Sequence, residues 1–94
     1  MSESVQRDLP ISFSSFVVSL ASSAMLHLGL APHPESGRKE VHLPLARNSI
    51  DLLGVLKEKT EGNLEDDESK LLDSVLYDLR TRFVELAGEP SDEE

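Results

Sequence analysis

Residues 11–30 read ISFSSFVVSLASSAMLHLGL, and this stretch contains no Asp, Glu, Lys or Arg. The chain around it is strongly charged, since Asp and Glu number 18 against 9 Lys and Arg, and the formal net charge is -9. An uncharged apolar stretch of this length gains free energy when it leaves water for protein or lipid. The placement of residues 11–30 therefore decides the rest of the fold.

The stretch is long enough for a helix to span about 30 Å of hydrocarbon. However, six serines dilute its hydrophobicity, and His27 lies inside it. The preceding MSESVQRDLP carries Glu3 and Asp8 against only Arg7, whereas a secretory signal begins with a positively charged region. We interpret residues 11–30 as a helix buried in protein. The alternative is a membrane-peripheral or membrane-anchored protein that uses residues 11–30 as its anchor.

The first helix is predicted over residues 13–28. Pro10 and the hydroxyl of Ser12 or Ser14 mark its start, and Gly29 supplies its stop. Apolar residues extend beyond one face, so the helix needs neighbours on more than one side. Its predicted buried face consists of Phe13, Phe16, Val17, Leu20, Ala24 and Leu28.

A second helix is predicted over residues 44–61, because Pro44 suits a first helical position and Gly62 suits a left-handed cap. Gly54 costs this helix about 1 kcal/mol relative to Ala, which indicates a close backbone contact. Its predicted buried side consists of Leu45, Ala46, Ser49, Ile50, Leu52, Leu53 and Leu56.

A third helix is predicted over residues 66–87. The carboxylates of residues 65–68 lie where the positive end of a helix dipole stabilises them, and Gly88 with Pro90 marks the end. An apolar seam predicts that the last two helices pack as an antiparallel hairpin. This seam consists of Leu72, Leu76, Leu79, Phe83 and Leu86.

Residues 39–43 alternate polar and apolar side chains and predict one short extended segment. Such a segment pairs with its counterpart in a second subunit or lies against the helices as irregular coil. The predicted organisation is a disordered N-terminus at 1–10, a single all-α domain at 11–88 and an acidic disordered tail at 89–94. Oligomerisation is expected to complete the small core.

No pattern of catalytic, metal or cofactor chemistry is recognisable. His27, His33 and His42 lack the i, i+4 or tightly paired spacing of zinc ligands, so no metal or cofactor is expected. No nucleophile elbow or phosphate-binding glycine loop is present, which argues against an enzyme. The net negative charge repels phosphate backbones and argues against nucleic acid as a partner.

The remaining hypothesis is a non-catalytic protein–protein interaction or oligomerisation module. A homodimer is the simplest closed assembly, and an unidentified protein partner is the alternative. Tyr77 and Arg80 lie three apart beside the seam and are typical of interface anchors. The predicted interface residues are Phe13, Phe16, Val17, Leu20, Ala24, Tyr77 and Arg80.

Three segments, FSSFVVSLASSAMLHLG, LPLARNSIDLLGVLKEKTEGNL and LLDSVLYDLRTRFVEL, resemble a bacterial family known as a domain of unknown function, DUF1844. The resemblance runs from about Phe13 to Leu86. One departure is Glu65-Asp66, where the family often shows Thr-Pro as the cap of its last helix. The residues that resemble the family signature are Ala46, Ile50, Asp51, Leu52, Leu53, Lys59, Thr60, Gly62, Asn63, Leu64, Tyr77, Leu79 and Arg80.

The resemblance implies a small, mostly helical, cytoplasmic bacterial protein. It implies no activity, substrate, cofactor or catalytic residue. The function is therefore left to the interaction hypothesis that the residues themselves support.

Overall fold

A computed structural model describes residues 11–88, and three helices lie within that range. They are α1 (Phe13–His27), α2 (Leu43–Lys59) and α3 (Asp66–Ala87). No strand forms within residues 11–88, so the predicted all-α fold is confirmed. The predicted disordered segments at 1–10 and 89–94 fall outside the described residues.

Helix α1 begins with a reciprocal pair of serine hydrogen bonds. The backbone N–H of Ser15 donates to the Ser12 hydroxyl at 3.1 Å, and the Ser12 N–H donates to the Ser15 hydroxyl at 3.0 Å. This capping box satisfies two backbone donors at the helix start. Of the two predicted capping residues, Ser12 and Ser14, the structure uses Ser12. Phe13 is the first helical residue, as predicted.

Helix α2 begins one residue before Pro44 and ends two residues earlier than predicted. At its end the Thr60 hydroxyl donates to the Leu56 carbonyl at 2.8 Å, and the Thr60 N–H donates to the same carbonyl at 3.0 Å. Thr60 thus caps the helix, and the prediction that Gly62 is the cap is wrong. Gly62 lies in the following turn with φ of +84°.

Helix α3 has the predicted bounds. The Glu65 N–H donates to the Glu68 carboxylate at 2.8 Å, and acidic residues occupy the first turn, where the helix dipole favours them. Gly88 ends the helix with φ of 70°.

The predicted extended segment at 39–43 is reduced to one antiparallel bridge, between Leu28 and Val41 of the same chain. The His42 N–H also donates to the His27 carbonyl at 2.7 Å. Leu43 is already helical, so the predicted segment is too long at its C-terminal end. The backbone of this segment finds its partner at the end of α1.

All three helices contact one another, and the contact between α1 and α2 is the most extensive. The core lies between them, and α2 also buries the polar residue Ser49. The core residues, each at most 4% exposed, are Val17, Ala24, Leu28, Ala46, Ile50, Leu53, Leu72, Leu76 and Leu79.

Four residues that the sequence places on buried faces are instead substantially exposed. Leu52 is 55% exposed, Phe16 50%, Leu45 49% and Leu86 45%. The apolar arc of each helix is wider than the surface that its two neighbours cover. These predictions of burial are wrong because two helices meet only part of each apolar face.

An ion pair and a cation–π contact connect α2 with α3. Lys57 Nζ lies 2.6 Å from a carboxylate oxygen of Asp73. The hydrogen bond to Asp73, and then the negative charge of Asp73, raise the pKa of Lys57. The Arg47 guanidinium lies 5.9 Å from the centre of the Phe83 ring. The late part of α2 therefore meets the early part of α3, and the early part of α2 meets the late part of α3.

Gly54 of α2 faces the end of the Arg80 side chain and not a backbone. A Cβ atom built on Gly54 would lie 3.1 Å from Arg80 Nη2, and it would meet no other atom within 4 Å outside its own helix and chain neighbours. The predicted close backbone contact is therefore wrong. Arg80 is exposed, so its flexible end can move by the few tenths of an ångström that a methyl group requires.

We expect Gly54→Ala to stabilise the protein by about 0.5–1 kcal/mol, because Ala has the higher helix propensity. Urea unfolding followed by circular dichroism measures the change. The same substitution in an Arg80→Ala background should give an equal gain. A loss of stability that disappears in that background would show that the arginine cannot move aside.

Within residues 11–88, no helix combines the length and the apolar character needed to cross a bilayer.

Candidate functional site

The loop between α1 and α2 folds back on itself and brings distant residues together. The His33 N–H donates to the Arg38 carbonyl at 2.9 Å, and the Gly37 N–H donates to the His33 carbonyl at 2.7 Å. These two bonds close a short turn, so residues just after Arg38 return to the neighbourhood of His33. The bridge between Leu28 and Val41 then fixes the returning segment against the end of α1.

The three histidines of the chain meet at this loop. The ring centres of His27 and His33 are 6.4 Å apart, and those of His33 and His42 are 5.7 Å apart with the rings nearly perpendicular. His27 ends α1, His33 lies in the turn, and His42 precedes α2. The tertiary fold therefore forms a histidine cluster from three different local structures.

Glu40 joins the cluster through its carboxylate. Its Oε1 lies 3.2 Å from His42 Nε2, and the Arg38 guanidinium donates to its Oε2 at 3.1 Å. The hydrogen bonds of His42 and Arg38 lower the pKa of Glu40, so the carboxylate is ionised at neutral pH. One possible ligand atom from each of His33, Glu40 and His42 lies within 4.8 Å of the other two.

Two ring nitrogens of the cluster have no polar partner. Among residues 11–88, His27 Nδ1 and His33 Nε2 are buried and accept or donate no hydrogen bond. Burial lowers the pKa of His27, and the nearby His33 and His42 lower it further because protonated imidazoles repel one another. The cluster therefore favours neutral imidazole at His27.

Sequence reasoning missed this arrangement because it compared only spacings along the chain. Imidazole nitrogens with a carboxylate oxygen are ligands that zinc accepts, whatever element carries them. The Ser36-Gly37 turn is the sequence signal that could have predicted the cluster, since a chain that reverses there returns residues 38–42 towards His33. We call His33, Glu40 and His42 the loop cluster.

A second feature is an exposed apolar stripe along α2. Leu45, Leu52 and Val55 are 49, 55 and 51% exposed, and their spacing of seven and three places them on one face of the helix. Asn48 lies between Leu45 and Leu52 on that face and is also exposed. We call Leu45, Asn48, Leu52 and Val55 the α2 stripe.

The predicted interface residues fall into three groups. Val17 and Ala24 lie in the core and have no exposed surface. Phe13 and Leu20 are partly buried against the core. The exposed group consists of Phe16, Tyr77 and Arg80, of which Tyr77 is 76% exposed. The structure therefore does not gather the seven residues on one surface.

Comparison with known proteins identifies a family. No curated protein and no solved structure matches the chain. The sequence model of the family described as Domain of unknown function (DUF1844) matches residues 10–85, which include α1, α2, all but the last two residues of α3, the loop cluster and the α2 stripe. The chain therefore belongs to the DUF1844 family.

Proposed function

We infer that this protein is a cytoplasmic, non-catalytic oligomerisation module and that a second copy of the same chain covers its α2 stripe. The observation that carries this proposal is the exposure of Leu45, Leu52 and Val55 on one helix face. Leaving three large apolar side chains about half exposed forgoes the free energy that their burial would provide. Contact with another protein surface recovers that free energy.

The spacing of the stripe supports a helix as the covering element. Leu45, Asn48, Leu52 and Val55 are separated by three, four and three residues, which is the a and d pattern of a helix–helix seam. A polar Asn within such a seam favours one register, because its amide pairs best with another polar group. A second α2 offers the same pattern and can provide the matching Asn48.

Charge also supports self-association through this face. Two chains of formal net charge -9 repel one another, so a stable homodimer needs an interface that adds little further repulsion. The four residues of the α2 stripe are uncharged. The stripe is therefore a surface through which two acidic chains can approach closely.

Sedimentation equilibrium of the full chain tests the proposal. We expect a dimer at micromolar concentration, and we expect Leu52→Asp to weaken association at least about tenfold, because each dimer would then bury two unpaired charges. Ser74→Asp is the matched control, since it adds the same charge at an exposed position of α3. It should leave the dimer intact.

The proposal is contradicted if the wild-type chain is monomeric at about 100 μM. That concentration is about the upper end of the dissociation constants expected for a weak specific dimer. Equal association of Leu52→Asp and Ser74→Asp contradicts the choice of surface. In that case Tyr77→Asp tests whether the interface instead contains Tyr77, an exposed residue that the sequence analysis predicts to lie in it.

A further inference from the structure

We propose that the loop cluster, His33, Glu40 and His42, binds one Zn²⁺ ion. The proposal rests on the convergence of two imidazoles and a carboxylate from separate parts of the loop. Two histidines with one carboxylate and an open fourth position are a known zinc ligand set. None of these side chains belongs to the α2 stripe, so the proposal is independent of self-association.

The distances suit a small tetrahedral ion. Zinc bonds of about 2.0–2.1 Å place neighbouring ligand atoms roughly 3.3 Å apart. Glu40 Oε1 and His42 Nε2 are already 3.2 Å apart. The ligand atom of His33 lies within 4.8 Å of the other two, so it must approach by at most about 1.5 Å. Rotation of its side chain covers that distance.

The hydrogen bonding of the loop cluster points to a ligand at His33. Its Nε2 is buried without a partner among the described residues, which costs free energy that a metal bond would recover. The Arg38 guanidinium occupies Oε2 of Glu40 and leaves Oε1 facing His42. Such outer contacts orient a ligating carboxylate.

The ligand types decide the class of ion. Mg²⁺ and Ca²⁺ prefer oxygen ligands throughout, whereas imidazole nitrogen suits zinc. The side chains of Glu40 and His42 are 35% and 45% exposed, so the ion can enter from solvent and a water can complete its coordination. The ring of His27 lies 6.4 Å from that of His33 and is not part of the proposed ligand set.

Isothermal titration of ZnSO₄ into the chelator-treated full chain at pH 7.5 tests the site. We expect one ion per chain, with affinity reduced about tenfold or more in Glu40→Gln and in His42→Gln. Glu35→Gln is the matched control, because it removes the same charge from an exposed position in the same loop. Its affinity for Zn²⁺ should equal that of the wild type, and MgSO₄ should give no saturable binding.

A thermal melt gives a second measurement. Zn²⁺ should raise the Tm of the wild type and of Glu35→Gln, and it should not raise the Tm of Glu40→Gln or His42→Gln, because a ligand stabilises only the state that binds it. Far-ultraviolet circular dichroism without metal verifies that the variants keep their helices. Absence of saturable zinc binding would overturn the proposal. Equal affinity of Glu35→Gln and Glu40→Gln would overturn it too, since it indicates only general attraction to an acidic chain.

Discussion

Leu79→Ala is expected to lower the free energy of unfolding by about 3 kcal/mol, the largest effect that we predict for a conservative substitution. Leu79 is 1% exposed and belongs to the core that α1, α2 and α3 enclose. Its truncation loses the transfer free energy of the removed carbons and leaves a cavity that close-packed neighbours fill only in part. Because a domain of this size has roughly 5–14 kcal/mol of stability, the loss is a large fraction of the total.

Urea unfolding monitored by circular dichroism at 222 nm measures this loss, and the midpoint should fall while the slope stays unchanged. Leu86→Ala is the matched control. It removes the same atoms from the same helix at a position that is 45% exposed, so it should cost under about 1 kcal/mol. Both variants are compared at one protein concentration, since self-association would add to apparent stability. Equal losses at the two positions would mean that the core is wrongly placed.

Gly29→Ala should destabilise the protein by about 2 kcal/mol. Gly29 has φ of +79°, where an L side chain costs roughly 1–2 kcal/mol. A Cβ at Gly29 would also lie 2.7 Å from Val41 Cγ2, closer than two carbon atoms can approach. The substitution therefore strains the turn after α1 and displaces the segment that carries Glu40 and His42.

Gly62→Ala separates these two effects. Gly62 has a similar φ of +84°, but a Cβ there meets nothing within 4 Å. Gly62→Ala therefore loses stability only through the unfavourable φ of the backbone. We expect Gly29→Ala to be the more destabilising by about 1 kcal/mol, and we expect amide chemical shifts to change at residues 40–42 only in that variant. Equal destabilisation of the two variants would show that Val41 moves aside without cost.

The helix bounds were predictable because helix ends depend on local chemistry. The Ser12 cap and Gly88 act on backbone groups within a few residues, and both lie where the sequence predicts the ends of α1 and α3. The end of α2 was less predictable, because the Thr60 hydroxyl competes for the Leu56 carbonyl two residues before Gly62. Thr60 and Gly62 are both suitable caps, and the sequence does not show which of them ends the helix.

Burial was predictable in part. Leu52 and Leu53 are neighbours in one apolar helix face, yet Leu53 is fully buried and Leu52 is 55% exposed. Periodicity shows which residues lie on an apolar arc, but it does not show how much of that arc the other helices cover. The same reason explains why Val17 is in the core while Phe16, beside it, is half exposed.

The sequence by itself determined the all-α fold and the three helices of residues 11–88, because the apolar period, the caps and the charged helix start of α3 are properties of neighbouring residues. Only the tertiary structure decided which leucines remain on the surface as the α2 stripe. It also decided that His33, Glu40 and His42 meet, since their approach depends on a turn and on the bridge between Leu28 and Val41. The Ser36-Gly37 turn is a local signal, but the bridge that holds the returning segment depends on how the loop packs against the end of α1, and the spacing of residues along the chain does not show that packing.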